Sequence, residues 1–218
     1  VTCYRLMINN LYIILGNYPT MLDIEYILKS VRRTTPFEPA EPLPFGKLRS
    51  EHMFLMDYRE GSWQHPRIGS YEPLALLPGT KALHYGQAIF EGQKAFQHED
   101  GELYLFRPEQ HAQRLNTSAE VVCIPPIPPA FQVQALESLV DVDRLCFPRQ
   151  EGACFYIRPF VFASDDALGV DASETYKHCI FLSPSGPYVQ GPIKILLTRE
   201  YHRAAPGGTG SGKVIGNY

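Results

Sequence analysis

The apolar positions of this chain fall into short blocks punctuated by prolines and glycines, and a helical period is visible in only two places. His52–Tyr58 (HMFLMDY) is a compact apolar run closed by Arg59–Ser62, which predicts a strand and a turn. Glu102–Phe106 (ELYLF) alternates behind the turn pair Asp100-Gly101 and predicts another strand. Ala88–Phe96 predicts a short helix. Pro108 suits the first turn of a helix that runs to about Val122, where the prolines at 125, 126, 128 and 129 end it. Phe131–Leu145 carries apolar residues at 133, 136, 139, 140 and 142, the period of a second helix. Beyond Gly152 the blocks become β-branched and aromatic, and Ala153–Phe162, His178–Leu182 and Ile193–Thr198 predict strands. The pattern as a whole predicts an α/β fold of the α+β kind. Residues 45–184 form its small two-layer domain, an antiparallel sheet with helices packed on it.

The flanks read differently. Residues 34–46 (TTPFEPAEPLPFG) hold four prolines, so residues 1–44 are an N-terminal arm leading into the domain. SPSGPYVQGP (183–192) marks a linker at 185–191, after which a second, β-rich domain begins at 192. Only 27 residues follow Gly191, too few to bury a core of their own. Leu6–Leu15 is apolar, but Asn9 and Asn10 interrupt it and it falls short of the roughly 20 residues a membrane helix needs. With only Arg5 ahead of it and no small-residue cleavage site after Gly16, it does not read as a signal peptide.

Composition narrows the functional classes. The 218 residues are 44% hydrophobic and 20% charged, ordinary for a globular protein. A net charge of -3 removes the electrostatic case for nucleic acid or an anionic membrane as partner. Five cysteines form no C-x-x-C pair, which fits reduced thiols in a cytoplasmic protein. The seven histidines show no ligand spacing, so no metal is expected.

The chemistry concentrates in GGTGSGKVIGNY (207–218). Gly207–Lys213 fits the phosphate loop G-x-x-x-x-G-K, but Val214 stands where that loop needs a metal-binding hydroxyl. REYHRAAP (199–206) also separates it from any strand. A second reading is a lysine that condenses with an aldehyde cofactor. Small residues before Lys213 would let a bulky ring approach the backbone, and Tyr218 could reach the same ring. Taken alone, a solvated lysine on a flexible loop is as good an account.

The motif does not stand alone. LHYGQAIFEGQKAF (83–96), LFRPEQHAQRLNTSAE (105–120), YIRPFVFASDDALGV (156–170), SPSGPY (183–188) and GGTGSGKVIGNY occur in this order. Together, over roughly residues 45–218, they resemble the branched-chain amino-acid aminotransferases of the fold-type IV pyridoxal-phosphate class. The resemblance implies that Lys213 binds pyridoxal 5'-phosphate covalently and moves the substrate proton. It implies that Arg114 grips the cofactor phosphate and that Tyr218 hydrogen-bonds the ring oxygen. Tyr85, Phe90, Tyr156 and Val170 would line the substrate pocket, and Arg158 would take the distal carboxylate of glutamate. Substrates would be leucine, isoleucine, valine, glutamate and their 2-oxo acids, and the full-length enzyme would be a cytoplasmic homodimer.

Ile215 departs from the family, which carries two glycines before the Asn-Tyr pair, and Ser185 stands where valine is common. In the family the carboxylate that pairs with the pyridine nitrogen lies beyond the position matching Tyr218. A second phosphate loop does too. The chain therefore reads as the N-terminal portion of such an enzyme, inactive by itself. Three other readings stay open: a D-amino-acid aminotransferase or aminodeoxychorismate lyase, a nucleotide-binding protein using Gly207–Lys213, and a non-catalytic truncated subunit.

Overall fold

A computed structural model describes residues 3–5 (backbone only), 22–28, 35–36, 43–187, 189 and 191–218. The apolar stretch Leu6–Leu15 and most of the proline-rich 34–42 lie outside them. One mixed sheet organises the chain. Its strands are β1 Cys3–Arg5, β2 Glu25–Ile27, β3 His52–Arg59, β4 Ser62–Ser70, β5 Ala88–Phe90, β6 Gln93–Gln97, β7 Leu103–Phe106, β8 Cys154–Ala163 and β9 Tyr176–Ser185. They run in the order β1-β7-β6-β8-β9-β3-β4-β2, with β5 also on β8. All pairings are antiparallel except β2 with β4. The helices are α1 Lys81–Tyr85, α2 Pro108–Val121 and α3 Pro129–Val142. This is the two-layer, largely antiparallel α/β arrangement read from the sequence.

Two elements differ from that reading. Ala88–Phe96 forms no helix; it is the pair of strands β5 and β6. Both lie on the same edge of β8, Ala88–Phe90 against Phe160–Phe162 and Gln93–Ala95 against Phe155–Ile157. The register runs straight through the gap at Glu91–Gly92. There the Glu91 N–H donates to the Pro159 carbonyl at 2.8 Å, and Pro159 has no N–H to give back. The long partner strand overrides the weak helical preference of nine residues that include Gly92. Ile193–Thr198 forms no strand either. No neighbouring strand pairs with it among the described residues, and Leu196 and Leu197 are 87% and 92% exposed. Without a ladder for its N–H and C=O groups, an apolar run has no reason to stay extended and regular.

The sheet has two distinct faces. On one, Phe54, Met56, Ile68, Ile89, Leu105, Phe155, Ile157, Val161, Tyr176 and Ile180 pack under Leu115 and Ala119 of α2 and Phe131, Ala135, Leu136 and Leu139 of α3. The other face has a small cluster of Ala88, Phe162 and Cys179 at one end. The rest of it is the floor of a cleft. Residues two apart share a strand face, so β8 sends Phe155, Ile157 and Val161 to the helices and Tyr156, Arg158 and Phe160 to the cleft.

Candidate functional site

The cleft encloses about 820 Å³. Its floor is Phe90, Lys94, Tyr156, Arg158, Phe160 and Phe181, all from the open sheet face; Phe45 closes one side, and Lys213, Ile215 and Tyr218 form a wall. The wall is the segment after the glycines, docked along the outer edge of β5. Val214 bridges to Ile89, and the Phe90 N–H donates to the Lys213 carbonyl at 3.1 Å. The Lys213 N–H donates to the Ser118 hydroxyl at 2.9 Å, and that hydroxyl donates back to the Arg114 carbonyl at 2.9 Å. Gly212 packs close to α2 here, where a Cβ would stand in van der Waals contact, 3.4 Å from both the Ser118 backbone and the Val121 side chain. Asn217 ties the glycine loop down. Its amide donates to the carbonyls of Thr209 and Gly212 at 2.9 and 3.1 Å, and its carbonyl accepts from the Thr209 hydroxyl at 2.7 Å.

These anchors aim the Lys213 side chain into the cleft. Its Nζ lies 4.2 Å from the centroid of the Phe90 ring and 3.5 Å from the Tyr218 hydroxyl. Arg158 approaches the same ring, with its guanidinium carbon 4.6 Å from the Phe90 centroid and its Nη2 donating to the Tyr156 hydroxyl at 2.9 Å. Five predicted residues therefore meet in one place: Phe90, Tyr156, Arg158, Lys213 and Tyr218. The lining residues include three cations and no carboxylate. Such a cleft favours an anionic ligand with aromatic or aliphatic parts.

The other predicted residues stand outside it. Arg114, on α2, is 52% exposed and forks onto Glu91, with Nε 2.5 Å and Nη2 2.7 Å from the two carboxylate oxygens. His111 shares Glu91 at 3.2 Å. Burial pushes the Glu91 carboxyl up, but the hydrogen bonds from Arg114 and His111 outweigh it and hold the group below the usual carboxylate range. Tyr85 and Val170 border a separate depression of about 290 Å³ together with Lys81, Gln87 and Asp171. There the Tyr85 hydroxyl donates to the Leu168 carbonyl at 2.5 Å, and Val170 is 89% exposed.

Sequence reasoning passed over Glu91, Ser118 and Asn217, which hold the site together, and Phe45, Lys94, Phe160 and Phe181, which line it. Alternation along β8 and β6 was the available signal for Phe160 and Lys94. Nothing local pointed to the rest. Residues 191–206 form no strand, so the strand-then-loop entry of a nucleotide phosphate loop is missing ahead of Gly207–Lys213. Among the described residues, no cluster of histidine, cysteine or carboxylates could hold a metal, and no helix is long and apolar enough to cross a membrane.

Comparison with known proteins agrees with the sequence resemblance. No family model matches the chain. It is 43% identical over 196 residues to branched-chain-amino-acid transaminase 1 of Bacillus subtilis, covering 86% of this chain and 55% of the relative. It is 45% identical over 181 residues to a probable branched-chain-amino-acid aminotransferase of Staphylococcus aureus, covering 81% and 50%. The chain thus spans about half the length of the curated relatives it matches. A solved branched-chain aminotransferase of Thermoproteus uzoniensis aligns at 23% identity with a TM-score of 0.49, over 63% of this chain and 43% of that one.

Proposed function

We propose that this chain carries the lysine-bearing part of a branched-chain amino-acid aminotransferase. The enzyme would move an amino group reversibly between leucine, isoleucine or valine and 2-oxoglutarate, with pyridoxal 5'-phosphate on Lys213. One observation carries the reading: Lys213, Tyr218, Phe90, Tyr156 and Arg158 meet in one cleft, although up to 128 positions of sequence separate them. The relatives at 40–45% identity bear the same activity in their names.

The cleft suits that cofactor. A primary amine projects beside a phenol and over an aromatic ring, and the lining is cationic with no competing carboxylate. When bound, pyridoxal phosphate supplies an electron sink for the substrate's α-carbon. The rest falls to the chain. Lys213 Nζ, freed when the substrate amine displaces it, would take the α-proton and deliver it to the carbon across the nitrogen, as general base and then acid. The Tyr218 hydroxyl, 3.5 Å away, orients that amine. Phe90, Tyr156 and Phe160 give an aliphatic side chain an apolar wall, and Arg158 takes a carboxylate in the other half-reaction. Arg114 would meet the phosphate with Nη1, which makes no hydrogen bond among the described residues while the other two nitrogens stay on Glu91.

Tyr85 and Val170 cannot serve the same copy's cleft from their own depression. The proposal therefore includes a homodimer in which they face the cleft of a second chain. It also places residues 45–184 as one domain and 192–218 as the start of the cofactor domain, in a cytoplasmic enzyme. Borohydride reduction in the presence of pyridoxal phosphate, followed by peptide mapping, is the test. The pyridoxyl group should sit on Lys213; an adduct on another lysine defeats the reading.

A further inference from the structure

Lys81 is a buried cation that the proposed chemistry does not use. Its side chain is only 3% exposed, a rare state for lysine unless a partner compensates the lost hydration. Lys81 and Tyr85 stand four apart on α1 and so share one face of it. Each reaches across to the loop that follows β8. The Lys81 amine donates to the Asp171 carbonyl at 3.2 Å and to the Asp171 carboxylate at 3.3 Å, and the Tyr85 hydroxyl donates to the Leu168 carbonyl. Val170 lies between those two grips, on the rim of the same depression of about 290 Å³ that Lys81 and Tyr85 border.

The bonds along the loop are divided so that one stretch depends on Lys81. The near end is fastened without its amine: the Lys81 N–H donates to the Asp165 carbonyl at 2.8 Å, and the Ala167 N–H to the Gly79 carbonyl at 3.1 Å. The Asp165 carboxylate, 3.8 Å from the amine, already accepts from the Glu174 and Thr175 N–H groups at 2.8 Å each and from the Thr175 hydroxyl. The far end is fastened by the Ser173 N–H, which donates to the Gln87 side chain at 3.1 Å. Between Leu168 and Ser173, the hydrogen bonds found among the described residues all come from Lys81. Residues 166–172 are exposed, so core packing does not hold them in its place. The turn is shaped for the grip: a Cβ on Gly169 would run into the Asp171 carboxylate, and glycine leaves that space to it.

We propose that Lys81 is a positioning residue which, with Tyr85, clasps this loop to α1 and fixes Val170 and Tyr85 as one apolar wall for an aliphatic side chain. That use of the wall rests on the function proposed above, but the clasp is read without substrate or cofactor. The assay is backbone nitrogen-15 relaxation on the full chain. In wild type, Gly169–Ala172 should be nearly as ordered as the strands, with order parameters close to about 0.85, and Lys81→Met should drop them below about 0.6. Lys81→Arg keeps a charged donor, has the depression beside it to take the larger head group, and should restore the order. Asp171→Ala, at a side chain 74% exposed, removes one of the two bonds from Lys81 and should loosen the same residues less.

Wild-type order parameters already below about 0.6 at these residues overturn the proposal. So does a Lys81→Met chain as ordered there as wild type, and so does a loss of order that spreads through β8 and β9, which would mark Lys81 as a support of the whole fold. Should Lys81→Met not fold, Asp171→Ala alone decides, and order equal to wild type at Gly169–Ala172 overturns the claim. The cofactor reading fails separately: a pyridoxyl label missing from Lys213 in wild type counts against Lys213 and leaves the clasp standing.

Discussion

Gly92→Ala should disorganise the floor of the cleft through a single methyl group. Gly92 does not use a left-handed backbone, so alanine brings no backbone strain and even gains about 0.4–1 kcal/mol from a stiffer unfolded chain. The obstacle is spatial. A Cβ at this position runs into the Tyr156 hydroxyl and stands 2.9 Å from Cζ and 3.3 Å from Cε2 of the same ring. The ring has little room to retreat, because Phe45 packs edge-on at 4.8 Å and Arg158 donates to its hydroxyl at 2.9 Å. Overpacking of this kind costs about 1–3 kcal/mol, and losing the Arg158 hydrogen bond adds roughly 1 kcal/mol. The net loss should be on the order of 1–3 kcal/mol, read as a fall in the denaturant midpoint at constant slope. Tyr156→Phe removes the oxygen that the methyl strikes. Gly92→Ala combined with Tyr156→Phe should therefore cost less than the two single changes added together, by at least about 0.5 kcal/mol. A Gly92→Ala chain as stable as wild type, or a strictly additive double variant, would refute the argument.

Two further outcomes follow from the same coordinates. Ser118→Ala should free the Lys213 N–H and speed hydrogen exchange across 207–218 about tenfold while leaving α2 protected, and uniform exchange across that segment in both proteins would show that Ser118 anchors nothing. His178 is wholly buried between Phe54 and Trp63 with neither ring nitrogen hydrogen-bonded among the described residues, and burial pushes its pKa down to about 3. The unfolded chain takes that proton near pH 6.5, so between about 6.5 and 3 the unfolded state binds more protons and stability falls with falling pH. His178→Leu should flatten the fall by up to ~1.4 kcal/mol per pH unit, and parallel thermal-denaturation curves for the two proteins across pH 6.5–4 would show the histidine is not held neutral.

The elements that a reader of the sequence finds are those whose partners are near or whose pattern is long. Pro108 and the prolines after Val122 bracket α2 by local rules, and α2 runs Pro108–Val121. β8 and β9 announce themselves by apolar, aromatic-rich blocks that a few polar residues do not break up. β4 was invisible because SWQHPRIGS is polar and contains Pro66. It is a strand only because β3 templates it, and a register shift opposite Leu55/Asp57 lets His65 take a left-handed conformation beside the proline. Ala88–Phe96 failed for the complementary reason. Nine residues have no decisive period, and the pairing that makes them strands comes from residues sixty or more positions away.

The site divides along the same line. Tyr156, Arg158 and Phe160 are two apart on one strand, so once β8 is recognised their shared face follows from the pleat alone. An arginine in the middle of an apolar strand is then a signal in itself: it needs either a partner or a ligand, and here it finds a tyrosine hydroxyl and a cleft. Lys213 offers no such logic. Its place depends on Ser118 and Ile89, 95 and 125 positions back from the residues they hold, Lys213 and Val214. Neither contact leaves a mark in the glycine-rich loop. Only the ordered set of five motifs brought Lys213 and Arg158 together before the fold did. That set is silent on which depression of the chain a residue borders, because resemblance aligns residues to a motif and not to a surface. Tyr85 and Val170 show the consequence: aligned to one pocket by motif, they sit in another by geometry.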